Sequence, residues 1–261
     1  MMFMKPLFMI TNDDGIGAKG IQTLIRVARE FGDIVVMAPD RNSSGSAHSF
    51  TGNRPLRVQV VSEVEDCRIY TCDGTPVDCV KLCEEHFCPR RPDFVLSGIN
   101  HGSNSSINVL YSGTMGAVIE ASVSGIPAIG FSLLNHSADA DFEPSIPYVK
   151  WVLNTAIEKG LPDQVALNVN IPVTNDGIIK GVRVCRQSQA RWVDSYEKRI
   201  DPHGRPYYWL TGSFECDDVT DDTDQCALEN GYVSIVPTTT DFTAYRAINQ
   251  IKEEYEWSVK E

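Results

Sequence analysis

An α/β fold, with a doubly wound, mostly parallel sheet between two helical layers (αβα), is expected for this 261-residue chain. Three features predict it. Short continuous apolar runs, Leu7-Phe8-Met9-Ile10, Ile34-Val35-Val36-Met37-Ala38, Phe94-Val95-Leu96 and Ala128-Ile129-Gly130-Phe131, read as strands buried on both faces. Segments with apolar residues at helical spacing alternate with them. Polar loops follow the strands, at the place where open α/β sheets bind ligands. At 42% hydrophobic, the chain can supply one sizeable core, or a core domain with an appendage.

In order, Ile21, Leu24, Ile25 and Ala28 lie on one helical face after the first strand, and Ile34 to Ala38 closes a strand-helix-strand unit at Pro39-Asp40. Thr75, Pro76 and Asp78 form a helix-start signature; Val80, Cys83 and Phe87 mark one face of that helix, and Pro89 closes it. Phe94-Val95-Leu96 ends at Ser97-Gly98-Ile99-Asn100, a helix runs from Thr114 to Ser124 before Gly125, and Ala128 to Phe131 is the next strand. Crossovers are expected to be right-handed throughout. Residues 1–131 are read as the core carrying the site, and residues 132–261 as a part that completes the core and forms an arm. In that second part Val149, Val152, Leu153, Ala156 and Ile157 keep helical spacing, while Ala166 to Pro172 and Gly231 to Val236 read as strands. The stretch from about Gln187 to Asn230, with Arg191-Trp192 and Tyr207-Tyr208-Trp209, reads as hairpins. Its acids Asp217, Asp218, Asp221, Asp222 and Asp224 lack the glycine and terminal Glu of an EF-hand loop and are expected to form a solvated face.

Composition narrows function. A net charge of -12 argues against nucleic acid as the main partner, since phosphate backbones want a basic surface. Residues 1–6 hold neither a signal-peptide core nor a spanning segment, so no membrane partner and a cytoplasmic location are expected. Eight cysteines contain no C-x-x-C pair and are read as mostly free thiols.

Asp13 and Asp14 sit side by side in Thr11-Asn12-Asp13-Asp14-Gly15, directly after the first strand. Adjacent carboxylates repel, and a divalent cation relieves that repulsion; a solvated Asx turn is the plain alternative. Asn42-Ser43-Ser44-Gly45-Ser46 and Ser97-Gly98-Ile99-Asn100-His101-Gly102 follow two other strands and add hydroxyl and amide oxygens suited to Mg²⁺, Mn²⁺ or Ca²⁺. Tyr111-Ser112-Gly113-Thr114 opens a helix with hydroxyls and a glycine, where free N–H groups receive phosphate, or where Ser112 and Thr114 simply cap. His48 and His101 lie in these loops, as phosphate donors and general acids or as solvent-facing side chains.

Thr11-Asn12-Asp13-Asp14-Gly15, Ala38-Pro39-Asp40-Arg41-Asn42-Ser43-Ser44-Gly45, Gly74-Thr75-Pro76-Val77-Asp78-Cys79-Val80, Ser97 to Gly102 and Tyr111 to Thr114 together resemble the SurE survival-protein family of nucleotidases. The motifs stand in the family's order and spacing, densely over residues 4 to 131, and more loosely afterwards through Asn168-Val169-Asn170-Ile171-Pro172 and Gly231 to Ile235. The resemblance implies a Rossmann-like core, a carboxyl-terminal part that builds a homodimer or homotetramer, and a metal-dependent, acid-phosphatase-like 5'/3'-nucleotidase acting on nucleoside monophosphates. It places metal ligands at Asp13, Asp14, Ser44 and Asn100 for one cation per subunit, Mg²⁺ or Mn²⁺. It places substrate and phosphate contacts at Asn12, Ser43, Asn104, Ser112, Gly113 and Thr114. Two departures are Ser43, where many relatives carry a basic or longer residue, and residues 1–3, which extend the usual start.

The expected reaction is in-line attack of water on phosphorus, with the cation held by Asp13, Asp14, Ser44 and Asn100 and with Ser112 and Thr114 stabilising the equatorial oxygens. Covalent attack by either aspartate is the alternative. A non-catalytic nucleotide-binding stress-response module is the rival from another class. A haloacid-dehalogenase type phosphatase ranks lower, because that chemistry uses Asp-x-Asp and the spacing here is Asp-Asp.

Overall fold

The computed structural model describes residues 5–64, 66–137 and 139–255; the extended start at residues 1–3 and most of the 1–6 stretch that bears on a leader lie outside them. The first strand β1 (Leu7–Thr11) is buried along its whole length. Helix α1 (Lys19–Ala28) follows, with Ile21, Leu24, Ile25 and Ala28 buried as their spacing predicts, and leads into β2 (Asp33–Pro39). An unforeseen antiparallel pair comes next, β3 (Val58–Val64) and β4 (Cys67–Cys72). Helix α2 (Pro76–His86) starts at a capping box: Thr75 accepts from the Asp78 N–H and Asp78 accepts from the Thr75 N–H. β5 (Phe94–His101), a 3-10 turn (Ser106–Leu110), α3 (Gly113–Val123) and β6 (Ala128–Leu133) complete the first half. The second half holds α4 (Ile146–Lys159), β7 (Val165–Ile171), β8 (Val182–Val184), β9 (Ala190–Ile200), β10 (Pro206–Cys216), α5 (Asp224–Glu229), β11 (Val233–Thr239) and α6 (Tyr245–Glu254).

Nine strands form one sheet in the order β3-β4-β2-β1-β5-β6-β7-β11-β8. From β4 to β7 all neighbours are parallel, and the antiparallel pairs are β3 with β4 and β11 with β7. The chain winds outward from β1 to β2 and β4, then returns to β5 and winds the other way through β6 and β7. The direction therefore reverses between β1 and β5. That switch point opens a crevice at the carboxyl ends of these two strands.

Side-chain alternation along the strands divides the core into two layers. Phe8, Ile10, Leu96 and Phe131 face one way and pack with Ile21 and Leu24 of α1 and Val149, Val152 and Leu153 of α4. Leu7, Met9, Val35 and Val95 face the other way, against Val80 and Cys83 of α2 and Met115 and Val118 of α3. Removing each such large apolar side chain from water stabilises the fold by about 1.5–3 kcal/mol. The three-layer expectation therefore holds.

β9 and β10 form a separate two-stranded ribbon, paired from Pro206–Ile200 to Cys216–Ala190. Trp192, Tyr196, Tyr207, Tyr208, Trp209 and Leu210 on it are exposed. The acidic stretch beyond needs a correction: Asp224 is fully buried, and its carboxylate accepts from the N–H groups of Ser106 at 2.7 Å and Ser188 at 2.9 Å. Asp218 and Asp222 are paired with Arg186, so only Asp217 and Asp221 match a simple solvated face. The buried amides of two distant segments need an acceptor, and Asp224 supplies it.

Candidate active site

The end of β1 delivers Asn12, Asp13 and Asp14 into the crevice, and the chain then turns at Gly15, whose φ of +91° suits glycine. Asn12 closes this turn by donating from Nδ2 to the Gly15 carbonyl at 3.0 Å. Its Oδ1 is buried and has no partner among the described residues. Asp13 is buried, and Asp14 is half-buried beside it.

Three loops converge on these carboxylates. From the loop after β2, the Ser43 N–H donates to the Asp13 carbonyl at 2.7 Å, which places the exposed Ser44 one residue further on. At the end of β5, His101 approaches Asp14 Oδ2 through its main-chain N–H at 3.3 Å and through Nδ1 at 3.2 Å. The neighbouring Asn100 donates from Nδ2 to the Gly102 carbonyl at 3.0 Å. From the start of α3, Thr114 donates from Oγ1 to Asp13 Oδ1 at 2.6 Å. Asp13, Asp14, Ser43, Asn100 and Thr114 thus meet around the switch point.

Electrostatics make this pair unlike a solvated turn. Burial pushes the Asp13 carboxyl above its ordinary 3.8; hydrogen bonding from the Thr114 hydroxyl pulls it down, and the charge of Asp14 pushes it up again. Because the folded value is raised, ionised Asp13 destabilises the cation-free protein as pH climbs from about 3.8 to that raised value. Cation affinity is expected to run the opposite way, falling as pH drops through the folded value and a proton displaces the cation. Thr114→Val removes the bond that favours the carboxylate, so it should weaken cation affinity roughly 10- to 100-fold. Manganese titrations of both proteins at two pH values check this; equal affinities would show that Thr114 does not hold the ligand.

The donor set is entirely oxygen, from carboxylates, a hydroxyl and an amide, and that chemistry fits a hard divalent cation. The helix start behaves partly as a cap: Ser112 Oγ accepts from the Met115 N–H at 3.0 Å, and Thr114 is committed to Asp13. Gly113 sits where a Cβ would fall 2.8 Å from Asp13 Cβ, so only glycine lets the helix approach the carboxylate. Asn104 is engaged elsewhere. Its N–H goes to Asn170 Oδ1, its Nδ2 to Ser132 Oγ, and its carbonyl accepts from Asn168 Nδ2. Its part at a phosphate therefore rests on the resemblance alone.

His48 lies on Glu120 rather than against the carboxylate pair, and that contact escaped sequence reasoning, as did the Asn104 cluster. Asn168 and Asn170 carried a signal, since residues two apart on a strand share a face.

A switch-point crevice holding paired carboxylates beside a helix start defines a Rossmann-like α/β protein built to bind a cation and an anionic group. The chain belongs to the SurE family: the family model described as survival protein SurE matches residues 8–194. It is 50% identical over 259 residues to a protein of Christiangramia forsetii named 5'-nucleotidase SurE, covering 98% of each chain. A protein of the same name from Flavobacterium psychrophilum is 50% identical over 249 residues, covering 95% of this chain and 96% of that one. Among solved structures, the SurE protein of Aquifex aeolicus superposes with a TM-score of 0.82 at 37% identity, covering 95% of this chain and 99% of that one.

Proposed function

We propose that this chain is a divalent-metal-dependent nucleotidase that hydrolyses the phosphomonoester of nucleoside 5'-monophosphates, and of 3'-monophosphates as second substrates, to nucleoside and phosphate. The convergence of three loops on Asp13 and Asp14 beside the start of α3 carries this reading. Near-full-length relatives named 5'-nucleotidase support it.

Asp13, Asp14, Ser44 and Asn100 would hold Mg²⁺ or Mn²⁺. When bound, the cation supplies Lewis acidity that offsets phosphoryl charge and acidifies water. The protein's own groups do the positioning. Thr114 fixes Asp13 in one orientation and His101 fixes Asp14, so the carboxylates need no reorganisation when charge develops. The Gly113 and Thr114 amides and the Ser112 hydroxyl would receive a phosphate's equatorial oxygens, and the burial of Ser112, Gly113 and Thr114 would strengthen those contacts. Water is the favoured nucleophile, because Asp13 is buried and bonded on Oδ1 and is poorly free to attack. Trapping an aspartyl-phosphate at either aspartate would overturn that choice.

The exposed aromatic ribbon supports a homodimer or homotetramer built through β9 and β10. No helix of the described residues is long and apolar enough to cross a membrane. Phosphate release from a panel of 5'- and 3'-nucleoside monophosphates, with Mg²⁺ or Mn²⁺ and again with excess chelator, tests the proposal. Release that requires the cation is expected; nucleotide binding without release in every condition would instead establish a non-catalytic module.

A further inference from the structure

The loop that carries Ser43 and Ser44 is held at one end on the Asp13 main chain and further along on α3. Ser46, Ala47 and His48 run along one stripe of α3, formed by Gly113, Gly116 and Glu120. A Cβ on Gly113 would fall 2.7 Å from Ser46 Oγ, and one on Gly116 would fall 2.3 Å from the Ala47 carbonyl oxygen. The loop backbone is therefore flush against the helix. Ala47 sits at a φ of +54°, held there by donating its N–H to the Tyr111 carbonyl at 3.2 Å. At the end of the stripe stands Glu120, whose side chain is only 10% exposed. Its Oε2 lies 2.8 Å from His48 Nε2 and its Oε1 lies 2.7 Å from Lys81 Nζ on α2. Burial pushes the Glu120 carboxyl up, but Lys81 and His48 together outweigh that and hold it below its ordinary value, so it stays charged.

We infer that Glu120 is a positioning residue for the cation- and phosphate-binding loop, acting through His48 to hold Ser43 and Ser44 over Asp13. This rests on the function proposed above and assigns part of its specificity for geometry to a carboxylate that touches neither cation nor substrate. The loop has other tethers: within it the Ala47 N–H is on the Tyr111 carbonyl and the Ser49 carbonyl accepts from Thr75 Oγ1 at 2.7 Å, and two more lie on either side. The Ser43 N–H is on the Asp13 carbonyl, and Thr51 donates its N–H and Oγ1 to Asp78 of α2 at 2.8 and 2.6 Å. The Glu120–His48 contact is a side-chain bond joining this loop to α3, and Lys81 bonds the other oxygen of Glu120. Neither residue bonds a proposed ligand; the pair acts through the loop backbone that leads back to Ser44, and positioning at a distance of this kind also tunes affinity.

The test uses Glu120→Gln, His48→Ala, the double variant and His48→Gln, each full length. Amide hydrogen exchange of the cation-free protein reads the loop, manganese titration reads the site, and phosphate release from a nucleoside monophosphate reads turnover. Glu120→Gln and His48→Ala should each speed exchange across residues 43–49 and weaken manganese affinity by roughly tenfold, with thermal unfolding close to wild type. The double variant should be no worse than either single one, because both break one contact. His48→Gln keeps a donor for Glu120 and should recover most of the loss. Unchanged exchange, manganese affinity within twofold of wild type despite faster exchange, or additive losses in the double variant would each overturn the assignment. Wild-type protein that neither binds manganese nor releases phosphate would instead refute the proposed function, and the exchange result would stand apart from it.

Discussion

Asp14→Ala is expected to lower cation-dependent kcat/KM by at least ~10³-fold while leaving the protein folded, because cation-borne stabilisation of the transition state amounts to several kcal/mol. The two halves of that expectation have separate causes. The Asp14 side chain is 11% exposed and its partner His101 18%, so the His101 main-chain N–H and Nδ1 that the deletion releases remain within reach of water in the space the carboxylate leaves. Its charge is also one of the forces pushing Asp13 above the ordinary carboxylate range, after burial itself. Deleting it relieves repulsion in the cation-free protein, and the unfolding temperature without cation should be equal to wild type or higher. With cation present the order reverses, since only wild type gains stability from binding. Phosphate release with and without chelator, beside thermal unfolding with and without Mn²⁺, measures all four corners. Retained turnover would defeat the assignment of Asp14 as a ligand.

The carboxylates were legible because the apolar run Leu7 to Ile10 marks a doubly buried strand, and whatever follows such a strand stands at the sheet's ligand-binding end. The start of α2 was legible for a local reason, since Thr75 and Asp78 satisfy each other across one turn. β3 and β4 were not. Gln59, Ser62 and Glu63 interrupt the first, Arg68 and Thr71 the second, and β3 is an edge strand that leaves Val60, Val61 and Val64 exposed. β8 and α5 have three and six residues, too few for a period to emerge. The contacts around the site stayed hidden for another reason. His48 meets Glu120 across 72 positions and Asn104 meets Asn170 across 66, so no local pattern announces either pair. Asp224 misled in the opposite direction: its acidic neighbours suggested solvent, whereas the orphan amides of Ser106 and Ser188 decide its place.

Gly20→Ala separates intrinsic propensity from packing and reaches the site from the far side of the sheet. Alanine is the better helix former by about 1 kcal/mol, so propensity alone predicts a more stable α1. Sterics oppose it. A Cβ on Gly20 would fall 1.9 Å from the Ile99 carbonyl oxygen, 2.9 Å from its carbon and 3.2 Å from Phe142 Cε1. The first two are main-chain atoms of β5, which no rotamer change can move. Either α1 lifts off the sheet, opening a gap beneath Ile21 and Leu24, or the end of β5 is displaced. Overpacking of this kind costs about 1–3 kcal/mol where side chains can adjust, and a backbone obstacle puts it at the upper end, so a net loss near 2 kcal/mol is expected after the propensity gain. For a chain of this size that lowers the unfolding temperature by roughly 4–8 °C. Gly17→Ala is the matched control, because nothing lies within 4 Å of its Cβ position, and its effect should stay within about 0.5 kcal/mol. Asn100 directly follows Ile99, and β5 shifts register against β6 between Ser97 and Asn100, so displacement of the strand end should also weaken manganese binding. Gly20→Ala with wild-type stability and affinity would mean that α1 slides along the sheet without strain, and that Asn100 is held by its bond to the Gly102 carbonyl rather than by the helix behind it.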